Sequence, residues 1–365
     1  MQNINRISIS NTTMPMLCVM FGPKGWADLP DELLCSIMVL LGSTRDLLAF
    51  IATCPSWRAA FMSIKPRLHM IFPPVIFRNC ADQTSPADCN TGNTWELIDL
   101  AYPSTPLHRL SPQNILDRME IAKCSSGHAI FSSGRSHVIM DVLTGTTVAA
   151  PHCPSIQLFY RIFITPEASP DAYLFASAPN SLYAWRVGSP SWLHCDFLKA
   201  HLIHEMVAFK GRVIARICEK LYVLHFSPLF HVEVLRVSCS DNMDPSKLSR
   251  KLVVCEDMLL LLGGNEKAFS IDFSTEPAKY VRVANGGLSK WAFFFGEKPT
   301  GQPRLLVNPE RIGLRGGHVY QLDQNGQVFS YPADGEQDGE WVPEPCFATI
   351  NAHLALNPTS YASWV

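Results

Sequence analysis

The stretch Ala208-Phe209-Lys210-Gly211-Arg212-Val213, followed at a short interval by Leu221-Tyr222-Val223-Leu224, reads as strand, tight turn, strand and a further strand. Apolar runs of strand length that break at a glycine-containing pair signal a hairpin, because glycine takes positive φ without a Cβ clash. The same order returns at Met258 to Leu262, Gly263-Gly264 and Ala268-Phe269-Ser270-Ile271-Asp272. On both sides of these stretches, short apolar or alternating runs recur from Pro74 onward. Val75 to Phe77, Trp95 to Leu100, Val138 to Asp141, Tyr173 to Ala176, Trp291 to Phe295 and His318 to Leu322 are examples, separated by Gly, Pro, Asn, Asp and Ser. No long helical period interrupts them, so this region is all-β. It has room for six or seven four-stranded propeller blades of roughly 40 to 50 residues each. A sandwich or an unrelated barrel is the alternative that strand spacing alone leaves open.

The composition agrees with a large folded core. Of 365 residues, 47% are hydrophobic and 17% charged, which excludes disorder driven by charge and low hydropathy. Thirty basic residues against thirty-two acidic ones give a formal charge of −2. That balance creates no broad field for phosphate backbones or anionic lipid, which argues against nucleic acid as a partner. The longest apolar runs fall far short of the roughly 20 residues that cross a bilayer, so no membrane association is expected. Twelve cysteines are scattered without a C-x-x-C pair. Several sit in apolar runs, as free buried thiols do, and this places the protein in the reducing cytoplasm or nucleus.

Residues 26 to 66 have a different character. Pro30 suits a first helical turn, Asp31 and Glu32 complement the positive end of the helix dipole, and Leu33, Leu34, Ile37, Met38, Leu40 and Leu41 carry the helix to Gly42. Ser43 and Asp46 have capping-box spacing and start a second helix through Leu47, Leu48, Phe50 and Ile51. Pro55 opens a third with Trp57, Phe61 and Ile64, and Pro66 is expected to end it. The first helix is apolar on more sides than one packing partner covers. Either the unit docks on the rest of the chain as core, or one face belongs to another protein.

The ordered set Leu29-Pro30-Asp31-Glu32-Leu33-Leu34, Ile37, Leu41, Asp46-Leu47, Phe50, Cys54 and Trp57-Arg58 resembles an F-box. The resemblance implies binding to a Skp-family adaptor and, through it, to a cullin-RING ubiquitin ligase. It marks Leu29, Pro30, Leu33, Leu34, Ile37, Leu41, Leu47, Phe50, Cys54 and Trp57 as adaptor-binding residues. Within the β region, Met258 to Leu262 with Gly263-Gly264 resembles a kelch blade. Asn285-Gly286-Gly287, Trp291 to Gly296, Gly313-Leu314-Arg315 and Val319 to Asp323 are similar to the closing part of a kelch-like domain of unknown function. That domain is carried by a plant F-box family expanded in grasses. Asp141-Val142-Leu143-Thr144-Gly145 resembles its first-blade motif, although Asp141-Val142 replace Asn-Pro, and Gly316-Gly317 stand where Pro-Asn is common.

The expected organisation is a flexible extension over residues 1–25, an F-box of three short helices over 26–66, a kelch-like β-propeller over 67–350 and a C-terminal segment over 351–365. The resemblances imply a non-catalytic substrate receptor of a Skp-cullin-F-box (SCF) ubiquitin ligase, with the propeller holding a client protein. The alternative is a propeller interaction module that acts without ligase activity. A search for chemistry yields no catalytic residue, cofactor or metal. His201, His204 and Glu205 fit no zinc-protease order and read as an inter-blade loop. His225 and His231 flank an apolar turn and read as structural, and Lys247, Arg250 and Lys251 read as a solvated loop beside Asp241 and Asp244. No phosphate loop, nucleophile elbow or dinucleotide fingerprint occurs.

Overall fold

The computed structural model describes residues 25–68, 74–80, 94–100, 102, 105–110, 119–125, 127–164, 171–197, 203–217, 220–227, 229–238, 251–262, 268–284, 286–296, 304–322, 328–333, 342–343 and 361–364. The expected extension up to residue 24 and the Gly263-Gly264 turn lie outside them, as do His201, Asp241, Asp244, Lys247 and Arg250. After a 3-10 turn at Trp26–Asp28 come α1 (Asp31–Leu40), α2 (Thr44–Thr53) and α3 (Pro55–Leu68). Pro30 stands one place earlier than expected. It precedes α1, and its carbonyl accepts from the N–H groups of Leu33 and Leu34. Ser43 Oγ accepts from the Asp46 N–H at 3.1 Å and donates to Asp46 Oδ2 at 2.7 Å, a side-chain closure of the N-terminus of α2. Pro66 does not end α3, which continues to Leu68. So near a helix end, proline removes a bond that would be among the last to form.

The strands fall into six sheets among the described residues. The first holds β1 (Ile76–Cys80), β2 (Thr94–Ile98) and β3 (His108–Leu110). The second runs through β4 (Glu120–Ser125), β5 (His128–Ser133), β6 (Ser136–Asp141) and β7 (Thr147–Ala149). The third is β8 (Tyr160–Ile164), β9 (Tyr173–Ala178), β10 (Ser181–Arg186) and β11 (Leu193–Asp196). The fourth is β12 (Ile203–Phe209), β13 (Arg212–Ile217), β14 (Lys220–His225) and β15 (His231–Leu235). The fifth joins β16 (Val237–Ser238), β17 (Lys251–Cys255), β18 (Met258–Leu262), β19 (Phe269–Asp272) and β20 (Ala278–Arg282). The sixth joins β21 (Trp291–Phe295), β22 (Arg304–Val307), β23 (His318–Leu322), β24 (Val328–Pro332) and β25 (Val342–Pro343).

Five sheets therefore draw on one continuous stretch of chain each. The first is completed by β26 (Tyr361–Trp364), which pairs antiparallel with β1. The residues expected to form a separate C-terminal segment thus supply a strand of the propeller. Closure by the two ends of the β region spares β1 an open edge.

The core lies between neighbouring sheets and runs around the ring. Phe77, Trp95 and Leu97 of the first sheet pack with Ala129 and Phe131 of the second. Ile130 and Ile139 meet Leu174 and Trp185 of the third, whose Phe175 and Leu182 meet Met206 and Leu224 of the fourth. Ile214 and Leu221 pack on Leu259 and Leu261 of the fifth, while Leu260 and Leu262 pack on Phe293 and Val319 of the sixth. The circuit closes where Phe294 and Tyr320 meet Ile76 and Ile98. With packing on both faces, β9 and β21 are buried along their whole length, which is why they read as unbroken apolar runs. The Lys210-Gly211 turn between β12 and β13 has φ of 47° and 73°, the twist that a two-residue hairpin needs.

Candidate adaptor-binding face and propeller axis

Helix α1 carries two apolar stripes. Leu34, Met38 and Leu41 follow helical spacing on one side and join Leu47, Phe50, Ala60 and Phe61 in the interior of the three-helix unit. Leu33, Ile37 and Leu40 form the neighbouring stripe, and there Leu33 is 52% and Leu40 77% exposed. Trp26 and Met62 add exposed apolar surface on the same unit.

The ten residues marked by the F-box resemblance are therefore divided. Leu34, Leu47 and Phe50 are buried, so in this chain they hold the helices together and present no surface. Phe50 and Trp57 meet in a tilted pair with ring centroids 4.4 Å apart, and the Trp57 indole N–H donates to the Trp26 carbonyl at 2.9 Å. Trp57, Leu29, Ile37, Leu41 and Cys54 are half-buried at the margin of that core, and Pro30 and Leu33 are exposed.

The unit is fixed to the propeller through the ends of its helices. Arg45, in the first turn of α2, donates its backbone N–H to Asp99 Oδ2 at 2.9 Å, so a fully buried propeller carboxylate sits at the positive end of that helix. The Arg45 guanidinium reaches the Thr105 carbonyl at 2.9 Å and lies 5.4 Å from the centre of the Tyr102 ring. At the other end of the unit, Arg311 donates to the Val39 carbonyl in the last turn of α1 at 2.7 Å. A cation there complements the negative end of the dipole. The apolar core of the helical unit is its own, its contacts to the propeller through Arg45 and Arg311 are polar ones at the helix ends, and the Leu33/Leu40 stripe stays open.

Around the axis, the edge strands β4, β8, β12 and β17 lie against one another. Glu205 on β12 is 4% exposed. Lys251 Nζ lies 3.3 Å from its Oε1, and Arg216 Nε lies 3.6 Å from its Oε2. The backbone N–H of Leu252 donates to the same carboxylate. Lys123 on β4 completes the group; desolvation pushes its amine down to about 7, opposed by the Glu205 charge. His204 is held below the usual imidazole range by burial and then by Arg216.

These positions correct two expectations. Glu205 and His204 lie in a strand rather than a loop, and Lys251 is an ion-pair partner in β17 rather than a solvated loop residue. A buried carboxylate flanked by Lys251 and Arg216, with the desolvated Lys123 amine beside it, joins side chains of three sheets.

The chain matches the F-box-like family model over residues 26–64. It also matches the KIB1-4 beta-propeller model over residues 97–334, more than half of its length. The chain belongs to the KIB1-4 beta-propeller family. F-box domains generally bind Skp-family adaptors, so the KIB1-4 propeller with its F-box-like unit has the architecture of an F-box substrate receptor. Both domain types are typically non-catalytic interaction modules. No curated protein matches the chain.

Solved structures that resemble it include a protein of unknown function from Bacteroides caccae, with 10% identity, 74% of this chain and 89% of that chain covered, and a TM-score of 0.35. The Myceliophteria thermophila Cps50 (Swd1) beta-propeller domain has 10% identity, coverage of 59% and 82%, and a TM-score of 0.34. Kluyveromyces lactis Hsv2 has 10% identity, coverage of 60% and 62%, and a TM-score of 0.31.

Within the KIB1-4 propeller, the motif residues serve turns. Asp141 Oδ1 accepts from the N–H groups of Leu143 and Thr144 at 3.0 and 3.1 Å, and Gly145 follows at φ 70°. A Cβ at Gly316 would overlap the Ser289 carbonyl, so close backbone approach accounts for glycine there.

Proposed function

We propose that this protein is the substrate receptor of an SCF ubiquitin ligase: the Leu33/Ile37/Leu40 stripe with Leu29, Pro30 and Trp26 engages a Skp-family adaptor, and the propeller binds a client protein. The observation that carries the reading is the open stripe on α1. A chain that buries Leu34 and Met38 completely while leaving Leu33 and Leu40 in water presents an apolar stripe of the kind a partner covers. The attachment of the helices through Asp99 and Arg311 supports it further. Ubiquitin transfer by proximity requires the client to be held in a fixed relation to the ligase, and the helix-end contacts tie the helical unit to the propeller. The chain contributes position, and bond chemistry belongs to the enzyme it recruits.

The family is read as a plant one with a kelch-like propeller. We place the protein in the cytoplasm or nucleus, where ubiquitin ligases of this kind act. The free thiols suit a reducing compartment; burial pushes the Cys255 thiol up, as expected for an inert core residue.

Affinity purification of the full chain, with mass spectrometry of what accompanies it, tests the assignment. The full chain is expected to bring down a Skp adaptor, a cullin and client proteins; deletion of residues 26–66 is expected to lose the first two and keep the clients. Adaptor and cullin retained by the deletion would remove the assignment. Clients without adaptor or cullin on the full chain would make this a propeller module outside the ligase.

A further inference from the structure

The β14–β15 hairpin brings together three side chains that are far from the helical unit and the axis. His225 and His231 are directly opposed across the two strands, and Glu233 stands two residues beyond His231 on the same face. One ligand atom from each lies within 4.8 Å of the others. Their rings stack with centroids 4.7 Å apart and planes 11° from parallel.

We propose that His225, His231 and Glu233 form a zinc-binding site on the outer edge of the fourth sheet, with water or a ligand from a bound protein completing the coordination.

Three features carry this. First, His225 Nε2 lies 3.2 Å from Glu233 Oε2. Two ligands at about 2.0 to 2.2 Å from one tetrahedral zinc are separated by about 3.3 Å, so this pair already has the spacing of a shared metal. That nitrogen is itself shielded from water and makes no hydrogen bond of good geometry. Second, His231 Nδ1 lies 3.0 Å from the Leu229 carbonyl. A carbonyl only accepts, so Nδ1 carries the proton and Nε2 keeps its lone pair. A ring held by a backbone carbonyl through its other nitrogen is the usual support of a metal-bound histidine. Third, the donor set of two imidazoles and one carboxylate suits zinc among the common divalent ions, whereas calcium and magnesium need oxygen ligands throughout.

The inner part of the same face is anchored, since Leu221 and Leu235 pack on the fifth sheet. The hairpin therefore presents its ligands from a fixed base. His225 and His231 read alone as flanks of a turn, and strand pairing brings Glu233 beside them.

The test is a calorimetric titration of zinc chloride into the full-length protein, stripped with EDTA and kept reduced, alongside His225→Ala/His231→Ala and Glu233→Gln. One equivalent is expected to bind in the micromolar range. Binding should be lost in the double histidine variant and weakened about tenfold in Glu233→Gln. All three metal-free proteins should remain folded with closely similar unfolding temperatures, since His231 and Glu233 are exposed and His225 is half-buried at the sheet edge. Binding only in the millimolar range would overturn the proposal. So would binding unchanged in the double histidine variant, which retains all twelve cysteines and would assign the metal to thiolates.

Discussion

Lys123 and Gly316 are positions where one residue decides a local energy. Lys123 has its amine pushed from 10.5 down to about 7 by desolvation. Between those values the unfolded chain holds a proton at this amine and the folded chain does not. By linkage, the stability contributed by this site rises with pH across the window and is lowest at and below pH 7. Lys123→Met removes that dependence, so the native chain should gain stability relative to the variant as pH rises from 7 to 10.5. Thermal unfolding of both proteins at matched pH measures this, and a constant difference would show that Lys123 is charged in the fold. Gly316→Ala is expected to lower stability by about 1 to 3 kcal/mol, because its Cβ would overlap the Ser289 carbonyl. An unchanged melting temperature would mean that the β21–β23 connection yields freely.

Elements show how far sequence patterns reach. Helices α1 to α3 and strands such as β9, β13, β14, β18 and β21 were legible because apolar residues follow their periods and punctuating residues bound them. Strand β4 was not, since Lys123 in its middle breaks the apolar run and the opposing Glu205 charge lies far along the chain. Strands β7 and β11 lie at the solvent edge, with all of Thr147 to Ala149 exposed, and so carry no alternation to read. The F-box resemblance located the right helices but could not separate Leu33 from Leu34. Which stripe of α1 faces inward depends on where Phe50 and Phe61 pack.

Docking of α2 was equally invisible, because Asp99 and Arg45 meet only in the folded chain. Asp99→Ala is expected to cost about 1 to 2 kcal/mol, the scale of a lost helix cap. It should also loosen the helical unit from the propeller. A fall in melting temperature together with faster amide exchange in α2 checks this; exchange confined to the propeller would place the contribution of Asp99 elsewhere.

The whole molecule is a ring of sheets with a helical unit tied to it by polar contacts, and we propose that the open stripe of α1 is the adaptor-binding surface. Titration of a purified Skp-family adaptor into the native chain, Leu33→Gln/Leu40→Gln and Leu34→Ala, with thermal unfolding of each, tests it. Loss of two interfacial apolar contacts is worth roughly 2 to 4 kcal/mol, or about 30-fold to 1,000-fold in Kd. The double variant should show at least that loss at an unchanged melting temperature. Leu34→Ala should lose about 2 to 5 kcal/mol of stability in the helical unit as a core truncation. Native affinity in the Leu33/Leu40 variant, or a loss of affinity that only tracks a loss of folding, would contradict the account.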